Sequence, residues 1–388
     1  MVSKASVDNA ITELEHTDRI CQISLDCYTT WRIEELWTAI QVPFPELTVL
    51  HLSFENLSYR RVLPDSFLGG SAPRLQFLAL TYIPFPGLTN LLLSATHLVN
   101  LWLLNIPHSG YISPDAMATC LSVLTNLEIL QLEFESPQSG PDRPDQGSQH
   151  SFPPTRSILP ALTSFWFKGV NEYLEDLVSG IDAPRLYRLS TTFFNDVNFD
   201  TPELDQFISR TPTFGAYNEA HLIFDSREAL VRLQSHPEPS DYGMVEVKIL
   251  RQVPDRQLSS LAQICTKALP LLLTMENLFV DGNRYSPLVW KDGIENSEWL
   301  DLLLPFTAVK NLYLSDPFSP LIAPALQELS GGRTTEVMPA LKNVLLEGFQ
   351  PSEPVQEGIA QFISARQLTS RPVTLSVWDR CDQLEVGD

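Results

Sequence analysis

Basic residues are scarce in this sequence. Lys and Arg number 26 against 47 Asp and Glu, giving a formal net charge of −21. Nucleic-acid binders draw most of their affinity from Lys and Arg on phosphates, so no nucleic-acid partner is expected. The same argument removes anionic membrane surfaces. Cysteine is scarce as well: Cys21, Cys27, Cys120, Cys265 and Cys381 form an odd, sparse set with no C-x-x-C. That pattern predicts reduced thiols in an intracellular protein, cytoplasmic or nuclear, and no disulfide framework. Cys120 and Cys265 lie in helical apolar patterns and are expected as buried structural thiols. No apolar run approaches the roughly 20 residues that span a bilayer. No basic flank followed by an apolar stretch opens the chain, so no secretory signal is expected.

Catalytic motifs are missing too. The sequence has no G-x-S-x-G, no G-x-x-x-x-G-K-[ST], no H-E-x-x-H and no G-x-G-x-x-G. Its histidines, at 16, 51, 97, 108, 150, 221 and 236, are scattered without metal-site spacing. The expectation is a non-enzyme with no cofactor and no metal. An active site assembled from distant residues of an irregular α/β fold is one alternative; a degenerate relic without a partner is another.

What the sequence does have is a recurring leucine skeleton. "LTNLEILQLEFE" places Leu124, Leu127, Leu130 and Leu132 at steps of three, three and two. The same offsets recur at Phe44, Leu47, Leu50 and Leu52, at Ala72, Leu75, Leu78 and Leu80, and at Ala95, Leu98, Leu101 and Leu103. They recur again from Leu159, Ala183, Leu272, Phe306 and Met338, and more loosely near residues 20, 214, 244 and 373. The repeats are 23 to 35 residues apart between anchors 44 and 183. The last two anchors, two residues apart, lie on one face of a short strand; the earlier ones bring the chain in from a helix or turn. Such a period is the mark of leucine-rich repeats. One α/β solenoid over residues 1–388 is therefore expected. It is a horseshoe with a parallel sheet on its concave face and helices on its convex face.

Helices are expected at 7–18, 30–41, 113–124, 172–181, 201–210, 226–235, 257–269, 296–304, 323–330 and 355–368. Ser113 with Pro114 and Thr201 with Pro202 read as N-caps followed by a first-turn proline. Pro45, Pro73, Pro160, Pro184 and Pro339 directly follow a first anchor, where they stop the preceding helix and cost the sheet no hydrogen bond. The stretch rich in Pro, Ser, Gly, Gln and Asp at 135–157 is expected as a disordered loop insertion, and 235–243 as a smaller loop.

The residues between the strand anchors point away from the core. The middle outward position carries Trp102, Trp166, Phe279 and Tyr313, with His221 in the looser repeat; Phe77 takes the first outward position of its strand. Aromatics in a row on an open face are the anchors a protein-binding surface uses. Asn277, Asn311 and Asn343 share one offset in successive repeats. Their amides, which both donate and accept, are expected either to bond along the sheet or to meet a partner.

The run "VLPDSFLGGSAPRLQFLALTYIPFPGLTNLLLSATHLVNLWLLNIPHSGYISPDAMATCLSVLTNLEILQLEFESP" resembles the fungal, mushroom-type F-box-associated leucine-rich-repeat proteins, as do "LLLPFTAVKNLYLS" and "ARQLTSRPVTLSVWDR". The resemblance implies a horseshoe that captures a protein target; the chain itself is expected to be a monomer. With an F-box, it would be the substrate-recognition part of a ubiquitin-ligase adaptor and dock on the ligase scaffold. The chain departs from that pattern in two places: no F-box segment is found ahead of the first repeat, and the consensus Asn after the strand, kept at Asn283, is replaced by Glu55, Ile106 and Val170 at equivalent places. Scaffold subunits are thus expected partners only where an F-box is supplied elsewhere.

Overall fold

A computed structural model describes residues 12–27, 33–54, 62–137, 156–194, 201–226, 228–235, 243–250, 257–267, 269–282, 295–329, 333, 335–348 and 353–378. Most of the loop expected at 135–157, most of that at 235–243 and the start of the helix expected at 7–18 lie outside these residues. The chain forms two compact units, Met1–Leu186 and Tyr187–Asp388.

The first unit contains, in chain order, β1 (Gln22–Cys27), α1 (Ile33–Ala39), β2 (Val49–Phe54), β3 (Phe77–Thr81), α2 (Leu88–Ser94), β4 (Asn100–Ile106), α3 (Pro114–Val123), β5 (Ile129–Phe134), β6 (Ser157–Ile158), β7 (Ser164–Gly169), α4 (Asn171–Ser179) and β8 (Ile181–Asp182). Strands β1, β2, β3, β4, β5 and β7 pair side by side in that order, all parallel. The short β6 pairs with β8. Ser157 is therefore strand, and the expected loop ends before it.

The change of period has a direct cause in the backbone. Between the first and second anchors the chain makes a turn, and the N–H of the second donates to the carbonyl of the first. This holds for Leu47 to Phe44, Leu75 to Ala72, Leu98 to Ala95, Leu127 to Leu124 and Leu162 to Leu159, at 3.0 to 3.3 Å. A three-residue step closes a turn; the following two-residue step is pleat. Pro45, Pro73, Pro160, Pro184 and Pro339 occupy that turn, where no ladder donor is needed. Each turn then hooks onto the repeat before it. Gln76 and Phe77 both donate to the Thr48 carbonyl, Val99 and Asn100 to that of Gln76, and Glu128 and Ile129 to that of Val99. The leucines at the third and fourth positions of these repeats are buried. Each such side chain contributes about 1.5–3 kcal/mol by leaving water.

The second unit contains β9 (Arg188–Phe194), α5 (Pro202–Ser209), β10 (Glu219–Phe224), β11 (Glu228–Gln234), β12 (Met244–Leu250), α6 (Gln257–Lys267), β13 (Asn277–Gly282), α7 (Asn296–Leu303), β14 (Asn311–Leu314), α8 (Ser319–Glu328), β15 (Asn343–Glu347), α9 (Glu353–Leu368) and β16 (Thr374–Trp378). From β10 through β13, β14, β15 and β16 the pairing is parallel, with each of α6 to α9 touching the next.

Two expectations fail here. Of the helix expected at 226–235, Glu228–Gln234 form instead β11, a strand antiparallel to both β10 and β12. The spatial order is β9, β12, β11, β10, β13, so the sheet is mostly, not wholly, parallel. The cause lies in the alternation of Ala229, Val231 and Leu233. They face Phe224, Leu222 and Ala220 on one side and Ile249, Val247 and Val245 on the other, all buried. A helix would spread these residues around its circumference. Asp225 makes the hairpin: its N–H donates to the Glu228 carbonyl, and its carboxylate accepts from the Glu228 N–H, both at 2.9 Å. The loose anchor Met244 is half-exposed, and Val245 takes its place in the core. The second failure is a cap. Ser113 accepts from Ala116 N as expected, at 3.3 Å, but the buried Thr201 hydroxyl makes no cap bond, leaving only Pro202 from that device.

Candidate functional site

Pleating puts alternate residues of each strand on the face away from the anchors, and register lines them into rows. In the first unit one row runs Ser24, His51, Ala79, Trp102, Gln131 and Trp166. Trp102 meets Phe77 edge-on, with ring centroids 5.0 Å apart at 69°. Its indole N–H is buried without a hydrogen-bond partner among the described residues. Gln131 separates Trp102 from Trp166 and donates to Glu133 at 2.6 Å. The expected row of aromatics is thus interrupted here: Phe77 and Trp102 touch, while Trp166 stands two strands from Trp102.

The second unit has a continuous slab. His221, Phe279 and Tyr313 are direct cross-strand partners on β10, β13 and β14. The His221 and Phe279 rings stack at 4.4 Å and 5°, and the Phe279 and Tyr313 rings at 4.1 Å and 11°. Parallel strands in register impose this, since equivalent side chains repeat at about the 4.8 Å strand spacing. Leu345 follows Tyr313 in the row. Trp378, from the end of β16, brings its ring to 5.5 Å from Tyr313 at 84° and 6.1 Å from Phe279 at 73°. Phe279, expected as an exposed anchor, is only 5% exposed because its neighbours' rings enclose it. Burial holds the Tyr313 phenol above its ordinary pKa, with the Glu219 carboxylate adding to the shift.

Beside the slab runs the amide ladder. Asn311 donates to Asn277 at 2.7 Å, Asn343 to Asn311 at 2.6 Å, and Thr374 to Asn343 at 2.6 Å. The shared offset in sequence becomes a chain of side-chain bonds across four strands. Asn311 is the one amide in it seen both donating to and accepting from another Asn. Asn311→Leu keeps the branching and heavy-atom count of the side chain but strips both neighbours of their bond, so it is expected to lower unfolding free energy by about 1–2 kcal/mol in urea denaturation. A loss below about 0.3 kcal/mol would show that the ladder carries no stability.

On the other side of His221 the row turns polar. Arg232 grips Glu246 through Nε at 3.0 Å and Nη2 at 2.7 Å, and Ser190 donates to the same carboxylate at 3.1 Å. The Gln234 amide lies 3.0 Å from His221 Nε2. This group ties β9, β12 and β11 together. It is not foreseen from the sequence, because a helix at 226–235 would not hold Arg232 and Gln234 on one face of a sheet. Trp378 is not foreseen either, because nothing local marks a ring that folds across neighbouring strands.

Among the described residues no group of three or more His, Cys, Asp or Glu is placed to hold a metal, and no helix is long and apolar enough to cross a membrane. The thiols divide by burial. Cys21 is exposed, while Cys120 and Cys265 are buried, as their helical pattern suggested. Burial pushes the Cys120 thiol up to about 11, and Cys265 in the same direction. Iodoacetamide at pH 8 is therefore expected to label Cys21 at once and to spare Cys120 and Cys265 until urea unfolds the chain, as read by peptide mapping. A raised folded pKa means that the folded chain keeps a proton the unfolded chain releases. The associated stability is complete below about pH 9 and drains as pH rises towards 11. Rapid labelling of Cys120 in the native protein would contradict its burial.

Comparison with solved structures gives the leucine-rich repeat-containing protein LegL7 from Legionella pneumophila, 12% identical, covering 91% of this chain and 94% of that one with a TM-score of 0.32. No family model and no curated protein matches the sequence.

Proposed function

We propose that this protein is a non-enzymatic leucine-rich-repeat scaffold, curved as a horseshoe, that binds another protein with the outward face of its strands. The observation that carries this reading is the stacked His221, Phe279 and Tyr313 slab beside the amide ladder. Aromatic side chains fixed in place by their neighbours lose little entropy on binding, which is why they dominate interface energies. Trp102 and Trp166 supply a second patch in the first unit. With a net charge of −21, the favoured partner surface is basic. The horseshoe acts inside the cell as a monomer. Its finer use, taken from the family resemblance, is presentation of the bound protein to a ubiquitin-ligase scaffold whose docking segment is supplied elsewhere.

Affinity capture from native cells tests this. Tyr313→Ala is expected to weaken the captured protein's binding by about tenfold, or about 1.4 kcal/mol, with the thermal midpoint little changed. Trp102→Ala with Trp166→Ala is expected to abolish any capture that uses the first patch. Scaffold subunits among the captured proteins would support the adaptor use. An unchanged set of captured proteins from folded, ring-less variants would sink the binding face.

A further inference from the structure

Trp378 stands apart from the other outward aromatics because it does not belong to the row it touches. It pairs with Glu347 on β15, two residues further along than Ser376, which is the residue level with Leu345. β14 is two strand steps from β16, with β15 between them, and β13 is three steps away. At about 4.8 Å per strand, its backbone starts roughly 10 Å from that of β14 and 14 Å from that of β13. Its ring nevertheless lies within edge-to-face distance of both Tyr313 and Phe279. The side chain must therefore fold back across β15 and lie on the stacked rings.

Two features mark it as a poor occupant of a good surface. The stacked rings turn their hydrogen-bearing edges outward, and an indole set across them has the edge-to-face geometry that aromatic pairs favour. The indole Nε1, however, is sealed from solvent without a hydrogen-bond partner among the described residues, a deficit that any partner-supplied ring with a satisfied donor, or with no donor, would escape. The strand that carries Trp378 is also weakly held. Among the described residues β16 is the last in the strand order and pairs only with β15, and Leu375 and Val377 are 41% and 52% exposed. A terminal edge strand with few buried contacts opens at low free energy.

We propose that Trp378 is a tethered occupant of a binding site for an aromatic side chain. The surface over Phe279 and Tyr313 receives an aromatic residue of the bound protein, and Trp378 swings off to admit it. This rests on the binding face described under the proposed function and deepens it by naming what the slab takes. The closed form lowers apparent affinity by the fraction of time the site is open, so removing Trp378 strengthens binding.

The test uses 5-fluoroindole as probe and the full chain, with binding read by fluorine NMR. Trp378→Ala is expected to bind the probe saturably, at least tenfold more tightly than the unmodified protein. Trp378→Phe restores a covering ring and is expected to exclude the probe again. Tyr313→Leu added to Trp378→Ala is expected to abolish saturable binding. Equal binding with and without Trp378, no saturable binding to folded Trp378→Ala, or binding indifferent to Tyr313→Leu would each overturn the proposal. So would a Trp378→Ala chain that fails to fold, because the ring would then be part of the core. These failures are separable from failure of the binding face. A probe that does not bind while Tyr313→Ala still weakens protein capture removes the latch alone. A probe that binds as expected while capture ignores Tyr313 leaves an aromatic site and removes the protein partner from it.

Discussion

Arg366→Ala is expected to lower the free energy of unfolding by about 3 kcal/mol, with the loss concentrated in the C-terminal repeats. Arg366 is fully buried, which is rare for an arginine. Its guanidinium donates to three successive carbonyls, those of Val337 at 3.1 Å, Met338 at 2.8 Å and Pro339 at 3.5 Å, and lies 5.2 Å from the Phe362 ring centre. Met338 is the first anchor of its repeat and adopts a left-handed backbone, φ 45°, which a non-glycine residue holds only when its surroundings fix it. Arg366 reaches from α9 to this turn, which starts β15, and bonds the Met338 carbonyl itself. Burial lowers the guanidinium pKa, with Arg371 adding to the effect, so the site holds the charge at some cost. Alanine removes the side chain's packing and leaves the Val337 and Met338 carbonyls without this donor. Arg371, which also donates to Pro339 at 3.1 Å, covers only the third. Arg366→Lys should recover less than half of the loss, because an ammonium cannot reproduce the planar fork across adjacent carbonyls. Urea denaturation followed by tryptophan fluorescence reads both variants. A cost below about 1 kcal/mol for Arg366→Ala would mean that the turn holds itself.

How much of this is legible in the sequence depends on the range of the interaction. The leucine anchors are, because each strand repeats one local rule; Leu50, Leu78, Leu101, Leu130, Phe165, Leu278, Leu312 and Val344 are all buried at the expected position. The amide ladder is legible because Asn277, Asn311 and Asn343 share an offset, and parallel in-register strands turn shared offsets into contacts. β11 is not, since "EALVRLQ" satisfies a helical period and a two-residue period at once, and β10 and β12 on either side decide between them. The burial of Phe279 and the reach of Trp378 depend on residues far apart in sequence. Arg366 sits in a correctly expected helix, yet its role comes from a turn nearly thirty residues earlier. Local repetition, then, gives the repeat its shape, and contacts between repeats decide which of its outward side chains remain available.

The strongest consequence of that repetition is a sharp contrast between neighbours on one strand. Leu130 lies at the centre of β5, fully buried, level with Leu101 on β4 and Phe165 on β7. Leu130→Asp places a carboxylate between the buried Leu101 and Phe165 side chains. The expected cost is at least about 5 kcal/mol, comparable to the whole stability of an ordinary domain. The first unit should then lose its cooperative thermal transition. Gln131, the next residue, is half-exposed on the outward face and bonds only to Glu133 beside it among the described residues. Gln131→Lys keeps a donor near that carboxylate and should change stability by no more than about 0.5 kcal/mol. A solenoid spreads such damage by contact, since each repeat buries its apolar side on the next, so the repeats flanking β5 should melt with it while β1, at the far end, gives way last. Circular dichroism and hydrogen exchange resolve the two outcomes. Equal losses from the two substitutions would mean that β5 lacks the one-sided burial its leucines impose, and the phase of the whole skeleton would have to be redrawn.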